Sequence, residues 1–482
     1  MFCSLQPRRK KEKPDPGKNV KNSYIKYFLL TSLIIILVIS NGYVFAQQSD
    51  FIKGTDGSVL DEVEQSGGKY YENGVETDAL TIFKTHGFNT IRLKLWHTPS
   101  NEFNSLSRVI TMARRAKEKG LHFILDIHYS DSWADPQKQI KPAAWADLPF
   151  AVLCDSVYSY TSHVITVLKN QQALPDIVQI GNEVSCGMLW NDGKVCGSFD
   201  TPEQWEQFGI LIKRGIAGVK NSLDEGEQVK IMIHFDNGGN NESCRWFFDH
   251  LLAQDVDFDI IGLSYYPWWH GTLSDLEFNL NDLSTRYEKE IIVVESAYPW
   301  TLEWGDNTGN IVGNEDQLLP GYPATVEGQT KFLQDILKII KNTPDDRGKG
   351  FVYWSPEWIP GHPGSPWENL ALFDFQGEVL ESIKVFEENL GVGENIKKNK
   401  TLKITPNPFG DEATVTFRLS DRSHVKLLVL NSSGAFVKIL VDDTLAKGEY
   451  KIKWPTQMLP SGIYSLILNA GTHTETIMAN KP

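Results

Sequence analysis

Gln179-Ile180-Gly181-Asn182-Glu183 and Ile291-Ile292-Val293-Val294-Glu295-Ser296 decide the reading of this 482-residue chain. Each is an apolar, β-branched run that ends on a glutamate. Such a run without polar alternation predicts a strand buried on both faces. A carboxylate at its C-terminal tip belongs where a parallel α/β barrel opens to solvent. Two such tips, 112 residues apart in sequence, supply the pair of carboxyls that cleavage of a glycosidic bond requires.

Strand-like and helix-like patterns alternate around these two runs. Strands are expected at 51–56, 89–96, 121–129, 176–183, 228–236, 258–266, 290–296 and 350–354. Amphipathic stretches separate them, among them 105–119, which follows Asn104 as a candidate cap and stops at Gly120, and 330–341. A last helix is expected over 378–389. Eight alternating units imply an α/β fold, a closed (β/α)8 TIM barrel. An open doubly wound sheet fits less well, because no Gly-rich phosphate fingerprint follows the first strand. The pattern breaks at the polar, Lys-rich stretch 391–400, which reads as a linker. Beyond it, short alternating strands at 413–419, 425–431, 436–441, 448–454 and 462–470 predict a small all-β sandwich of roughly seven strands over 401–482. The expected divisions are therefore 1–46, 47–390, 391–400 and 401–482.

Phe28–Ile39 is an apolar run behind a basic segment, and Val44-Phe45-Ala46 offers small residues at both cleavage positions. This predicts a signal peptide cut after Ala46, and hence a secreted or cell-surface protein. An uncleaved anchor is the alternative. Residues 1–46 hold eight Lys or Arg against two acids, so cleavage would take the net charge from −14 to near −20. A protein that acidic is not expected to bind nucleic acid through charge. Four cysteines remain after the leader. Cys186 and Cys196 flank a short loop past Glu183, and either a disulfide or free buried thiols would suit them. No Cys/His spacing resembles a zinc site.

Eleven of the 14 tryptophans fall at the strand tips or in the loops after them. Core filling would spread them more evenly, so the bias points to a cleft for sugar rings. The tips also hold the candidate chemistry. Glu183 is assigned as acid/base and Glu295 as nucleophile. Their side chains should face each other within about 5–5.5 Å. Arg92 would keep Glu295 ionised, although a purely structural ion pair is its other reading. Asn182 can donate to a sugar 2-hydroxyl. His128 and His234 can either bind sugar or orient a carboxylate. Asp126, Trp133, Tyr265, Tyr266, Trp268, Trp300 and Trp354 complete the expected substrate contacts.

The segments Gly54-Thr55-Asp56, 90–96 (TIRLKLW), 125–136 (LDIHYSDSWADP), Gly181-Asn182-Glu183, 262–273 (GLSYYPWWHGTL) and 293–300 (VVESAYPW) resemble glycoside hydrolase family 53 over about residues 50–390. The motifs on the third and sixth strands are the specific ones; the Asn-Glu and Glu tips mark only a wider clan of retaining barrels. The resemblance implies a (β/α)8 arabinogalactan endo-β-1,4-galactanase with Glu183 as proton donor and Glu295 as nucleophile. It implies retention of configuration and β-1,4-galactan as the polysaccharide partner; no required cofactor and a monomer are further expectations. The alternatives are another retaining β-glycanase, a mannanase or cellulase, and a non-catalytic sugar-binding barrel. Two departures stand out. Cys186 sits where a polar residue is expected, and loop 303–315 differs from the calcium-binding loop of some relatives. Asp306, Asn307 and Asn310 could ligate calcium or form an ordinary turn. Residues 401–482, with Pro406-Asn407-Pro408-Phe409 and 459–466 (LPSGIYSL), resemble the C-terminal sorting domain of the type IX secretion system, which implies secretion machinery as a second partner. A carbohydrate-binding module is the rival reading, but Trp454 and two tyrosines make a thin platform.

Overall fold

The computed structural model describes residues 51–361, 364–387, 402–419, 422–431, 436–470 and 473–482. The expected leader, the expected linker and the end of the expected last helix lie outside the described residues. The chain divides into two compact units, one ending at Glu388 and one beginning at Asn389.

In the first unit eight strands close a parallel barrel: β1 Ile52–Asp56, β2 Thr90–Leu95, β3 His122–Ile127, β4 Ile177–Ile180, β5 Lys230–Phe235, β6 Ile260–Ser264, β7 Glu290–Ser296 and β8 Gly348–Trp354. Each strand pairs with its neighbours in sequence, and β8 closes on β1. The principal helices that follow β1 to β7 are α1 Ala79–Thr85, α2 Leu106–Glu118, α3 Phe150–Asn170, α4 Pro202–Lys220, α5 Asn241–Leu252, α6 Leu273–Tyr287 and α7 Val326–Lys341, with short helical turns at Leu60–Gln65 and Pro267–His270 besides. The cap of α2 is Ser105, not Asn104. The expected eighth helix is a 3-10 segment, Glu381–Phe386. Its start is pre-empted: Glu378 bridges to Tyr71 and Val379 N–H donates to Tyr71 O, which holds the chain extended beside a small hairpin.

Alternation along the strands stacks the barrel interior in layers. The lowest is apolar, with Ile124, Ile177, Met232, Ile260, Ile292, Val294 and Val352 packed together. Two residues further along β3, β4 and β5 stand Asp126, Gln179 and His234, fully buried beside Arg92 of β2. The site sits on this polar layer.

The second unit is a sandwich of seven strands: β9 Lys403–Thr405, β10 Glu412–Leu419, β11 Ser423–Asn431, β12 Phe436–Leu445, β13 Gly448–Pro455, β14 Gly462–Ala470 and β15 His473–Lys481. One sheet runs β9-β10-β13 and the other β12-β11-β14-β15. Its core includes Phe409, Phe417, Trp454, Tyr464 and Leu466. Trp454 is therefore a core residue and not a sugar platform. Among the described residues no helix is long and apolar enough to cross a membrane.

Candidate active site

The mouth of the barrel holds a cleft with about 640 Å³ of space. Glu183 and Glu295 both line it, and their carboxylate oxygens approach within 4.8 Å. Two backbone devices bring them there. Val294 packs in the interior cluster, so strict alternation would turn Glu295 outward. The ladder shifts register at this point, with Leu263 opposite Val293 but Ser264 opposite Glu295, and the bulge turns a second successive side chain inward. Glu183 follows β4 in a left-handed conformation, φ 44° and ψ 53°, which a non-glycine residue adopts only when its surroundings enforce it.

Arg92 is the centre of the layer beneath. Its Nη1 donates to Asp56 Oδ2 at 2.7 Å and lies 2.8 Å from Glu295 Oε1. Its Nη2 donates to Asp126 Oδ2 at 3.0 Å, Asn182 Oδ1 at 2.9 Å and Gln179 Oε1 at 3.1 Å. A fully buried guanidinium spending its planar fork on so many acceptors orients the strand tips around it.

His234 lies beside Glu183. His234 Nδ1 meets Asn182 Oδ1 at 3.0 Å, Gln179 Nε2 at 3.1 Å and the Glu183 N–H at 3.4 Å. Burial and the charges of Arg92 and His128 hold His234 well below the usual imidazole range. Nε2 lies 2.9 Å from Ser264 Oγ, and that hydroxyl donates to Glu183 Oε1 at 2.7 Å. His128 is used the same way. Its Nδ1 accepts from Ala134 N–H at 3.1 Å while Nε2 faces Asp126 Oδ2 at 2.9 Å. Of the two readings left open for these histidines, the contacts are those of orienting groups.

Burial raises both glutamates. Glu183 is lifted well above the usual range by burial, then by the charges of Glu295 and Asp236, against Ser264 and Arg92. Glu295 is raised by burial to about 7; Arg92 and the Tyr266 hydroxyl, 3.2 Å from Oε2, pull it back. Arg92 and Tyr266 favour charge on Glu295, and the charges of Glu295 and Asp236 favour a proton on Glu183.

Six of the thirteen expected residues line the cleft: Trp133, Asn182, Glu183, Tyr266, Glu295 and Trp354. Arg92, Asp126, His128 and His234 lie below it, buried, and act through other groups. Tyr265 is a correction. Its ring is fully buried and its hydroxyl donates to Gly271 O at 2.9 Å, because alternation puts it on the outer face of the strand tip that aims Tyr266 inward. Trp268 stands behind the lining against Tyr266, and Trp300 packs on Phe375. Tip reading missed Ser264, one residue before the first tip residue considered, and Trp367, which arrives on the loop after β8. It also left Asp236, Trp269, His270 and Trp358 out of the expected contacts, and all four line the cleft. Asp56 and Gln179 were missed as well, although their place two residues above buried interior positions was a usable signal.

The disulfide reading of Cys186 and Cys196 is the one observed. The Asp306 carboxylate is engaged by the backbone. It accepts backbone N–H groups of Thr308, Gly361 and Ser365, the last two at 3.0 Å, which staples loop 303–315 to the loop after β8.

Residues 52–386 match the model of glycosyl hydrolase family 53, and residues 403–479 match that of a secretion system C-terminal sorting domain. An uncharacterized protein of Niallia circulans is 52% identical over 71% of this chain and 95% of its own length. The arabinogalactan endo-β-1,4-galactanase of Cellvibrio japonicus is 33% identical over 72% of this chain and 93% of its own length. The solved family 53 catalytic domain of Ignisphaera aggregans superposes with a TM-score of 0.66 at 41% identity, covering 70% of this chain and 95% of that one. With the family model spanning most of the chain and these relatives matching it nearly end to end, the chain belongs to glycosyl hydrolase family 53.

Proposed function

We propose that this protein is a secreted, retaining endo-β-1,4-galactanase that cuts the β-1,4-galactan side chains of type I arabinogalactan. The observation that carries the reading is the approach of Glu183 and Glu295 within 4.8 Å. Retaining enzymes need about 5–5.5 Å between their carboxyls, whereas inverting enzymes leave about 6.5–9.5 Å for a water. Glu295 attacks the anomeric carbon as Glu183 delivers its proton to the departing glycosidic oxygen, and the C–O bond to the leaving sugar breaks. Glu183, now ionised, takes a proton from water. That water displaces Glu295 and restores both groups with the starting configuration.

The indoles that line the cleft, Trp133, Trp269, Trp354, Trp358 and Trp367, suit the flat C–H faces of pyranose rings. Asn182 spends one amide hydrogen on Ala134 O at 2.9 Å and has a second for a sugar hydroxyl. The C-terminal unit is read as a type IX sorting signal. The test is a product profile on debranched galactan. Release of β-1,4-galacto-oligosaccharides with β configuration at the new reducing end is expected, and faster cleavage of mannan or cellulose would overturn the substrate. The variant Glu295→Gln should lose about 10³-fold or more in kcat, because the missing nucleophile has no substitute. Full activity in that variant would overturn the mechanism.

A further inference from the structure

Lys94 follows Arg92 by two residues on β2, so it projects from the same inward face one layer nearer the mouth. It is 1% exposed, and among the described residues its Nζ has no hydrogen-bond partner. Its surroundings are aromatic instead. Nζ lies 3.8 Å from the ring centroid of Trp133, 5.5 Å from that of Trp96 and 5.8 Å from that of Trp354. Trp133 and Trp354 both line the cleft and meet edge to face at 5.9 Å.

A buried ammonium without a hydrogen-bond acceptor is costly, and nature keeps such a group rarely. Burial pulls Lys94 down to about 8, while the charges of Asp56, Glu357 and Asp126 favour its cation. Attraction between an ammonium and an indole strengthens when both are out of water, and Trp133 offers its ring at the shortest distance. We propose that Lys94 is a positioning residue: it holds the Trp133 indole as a fixed wall of the cleft and thereby sets affinity for the sugar chain rather than the chemistry at the bond. The proposal rests on the reading of the cleft as a galactan site.

The test is a double-mutant cycle on the full chain with linear galactan as substrate. Lys94→Met removes the charge at similar volume, Lys94→Arg keeps a cation, and Trp133→Ala removes the ring. Lys94→Met is expected to raise KM about tenfold with kcat within about twofold, and Lys94→Arg to recover most of that loss. In the Trp133→Ala background, Lys94→Met should add less than about a twofold change, since its partner is gone. The pH–rate profile should keep both limbs. Equal loss in the two backgrounds, or a moved limb, would show Lys94 acting through the carboxylates and overturn the proposal, as would an unchanged KM. If Lys94→Met does not fold, Lys94→Gln enters the same cycle. Inertness of the wild-type chain on galactan sinks the functional reading; an active wild type with additive losses sinks only the role of Lys94.

Discussion

At the scale of single residues, the two glutamates are tuned by different neighbours, and the neighbours can be removed one at a time. The Tyr266 hydroxyl stabilises the Glu295 carboxylate, so Tyr266→Phe raises the pKa of that group. In the proposed mechanism Glu295 attacks as the anion, and the acidic limb of kcat/KM should therefore move up by about one pH unit. Asp236 acts on the other side. Its charge helps keep the proton on Glu183, so Asp236→Asn lowers that pKa and should bring the alkaline limb down, by up to about one unit. The two variants narrow the profile from opposite ends, and profiles recorded on an oligosaccharide will show it; movement of the same limb in both would exchange the assigned roles. A single glutamate at a strand tip is more often a salt-bridge partner; two of them ending buried runs, the first preceded by Asn182, are what made the pair stand out in the sequence. Arg92, His128 and His234 were legible as site residues but not as buried ones. Their depth follows from counting in twos up the barrel interior, and tip reading counts only where each strand ends.

At the scale of elements, all eight barrel strands are found where the sequence places them, with boundary differences of up to three residues spread over both ends, the largest at the C-terminal end of the fourth. The fourth run was read through Glu183, yet the ladder stops at Ile180. Gly181 and Glu183 take positive φ, which no parallel ladder accommodates, and that departure aims the carboxylate. The loop that follows is closed by the disulfide and by Gly187, whose φ is +83° and whose position a Cβ could not share with Gly193 O. The expected eighth helix failed because its first residues found strand partners, a tertiary event invisible to local pattern. Replacing Cys186 and Cys196 by serine frees a short loop whose closure stabilises the fold by about 3 kcal/mol, so a Tm lower by about 2–5 °C is expected. Because the loop begins at Glu183, faster amide exchange over 184–196 should accompany a fall in kcat, and unchanged exchange there would refute the link. Loop 303–315 makes the opposite prediction. Its Asp306 is occupied by backbone N–H groups, which hold the carboxyl below its usual range despite burial, so EDTA should leave both Tm and activity unchanged.

At the scale of the molecule, the two units divide structure from chemistry. Every residue argued to touch or tune the substrate lies between Asp56 and Trp367, inside the first unit. The second unit has its own buried core, with alternate positions of β10 and β11 pointing inward, and it uses its one tryptophan to fill that core. A unit with a separate core folds as a separate body, and its removal costs the other only the contacts they share. Chains ending at Glu387 should therefore hydrolyse galactan with kcat/KM within about twofold of the full chain. A loss of tenfold on polysaccharide, with small oligosaccharides unaffected, would mean that the sandwich engages the polymer and would revive the carbohydrate-binding reading. The converse experiment asks what the sandwich does when it has no enzyme to serve. Residues 388–482 joined to an unrelated periplasmic protein should carry it across the outer membrane of a host with type IX machinery, and retention of that fusion in the periplasm would remove the sorting role.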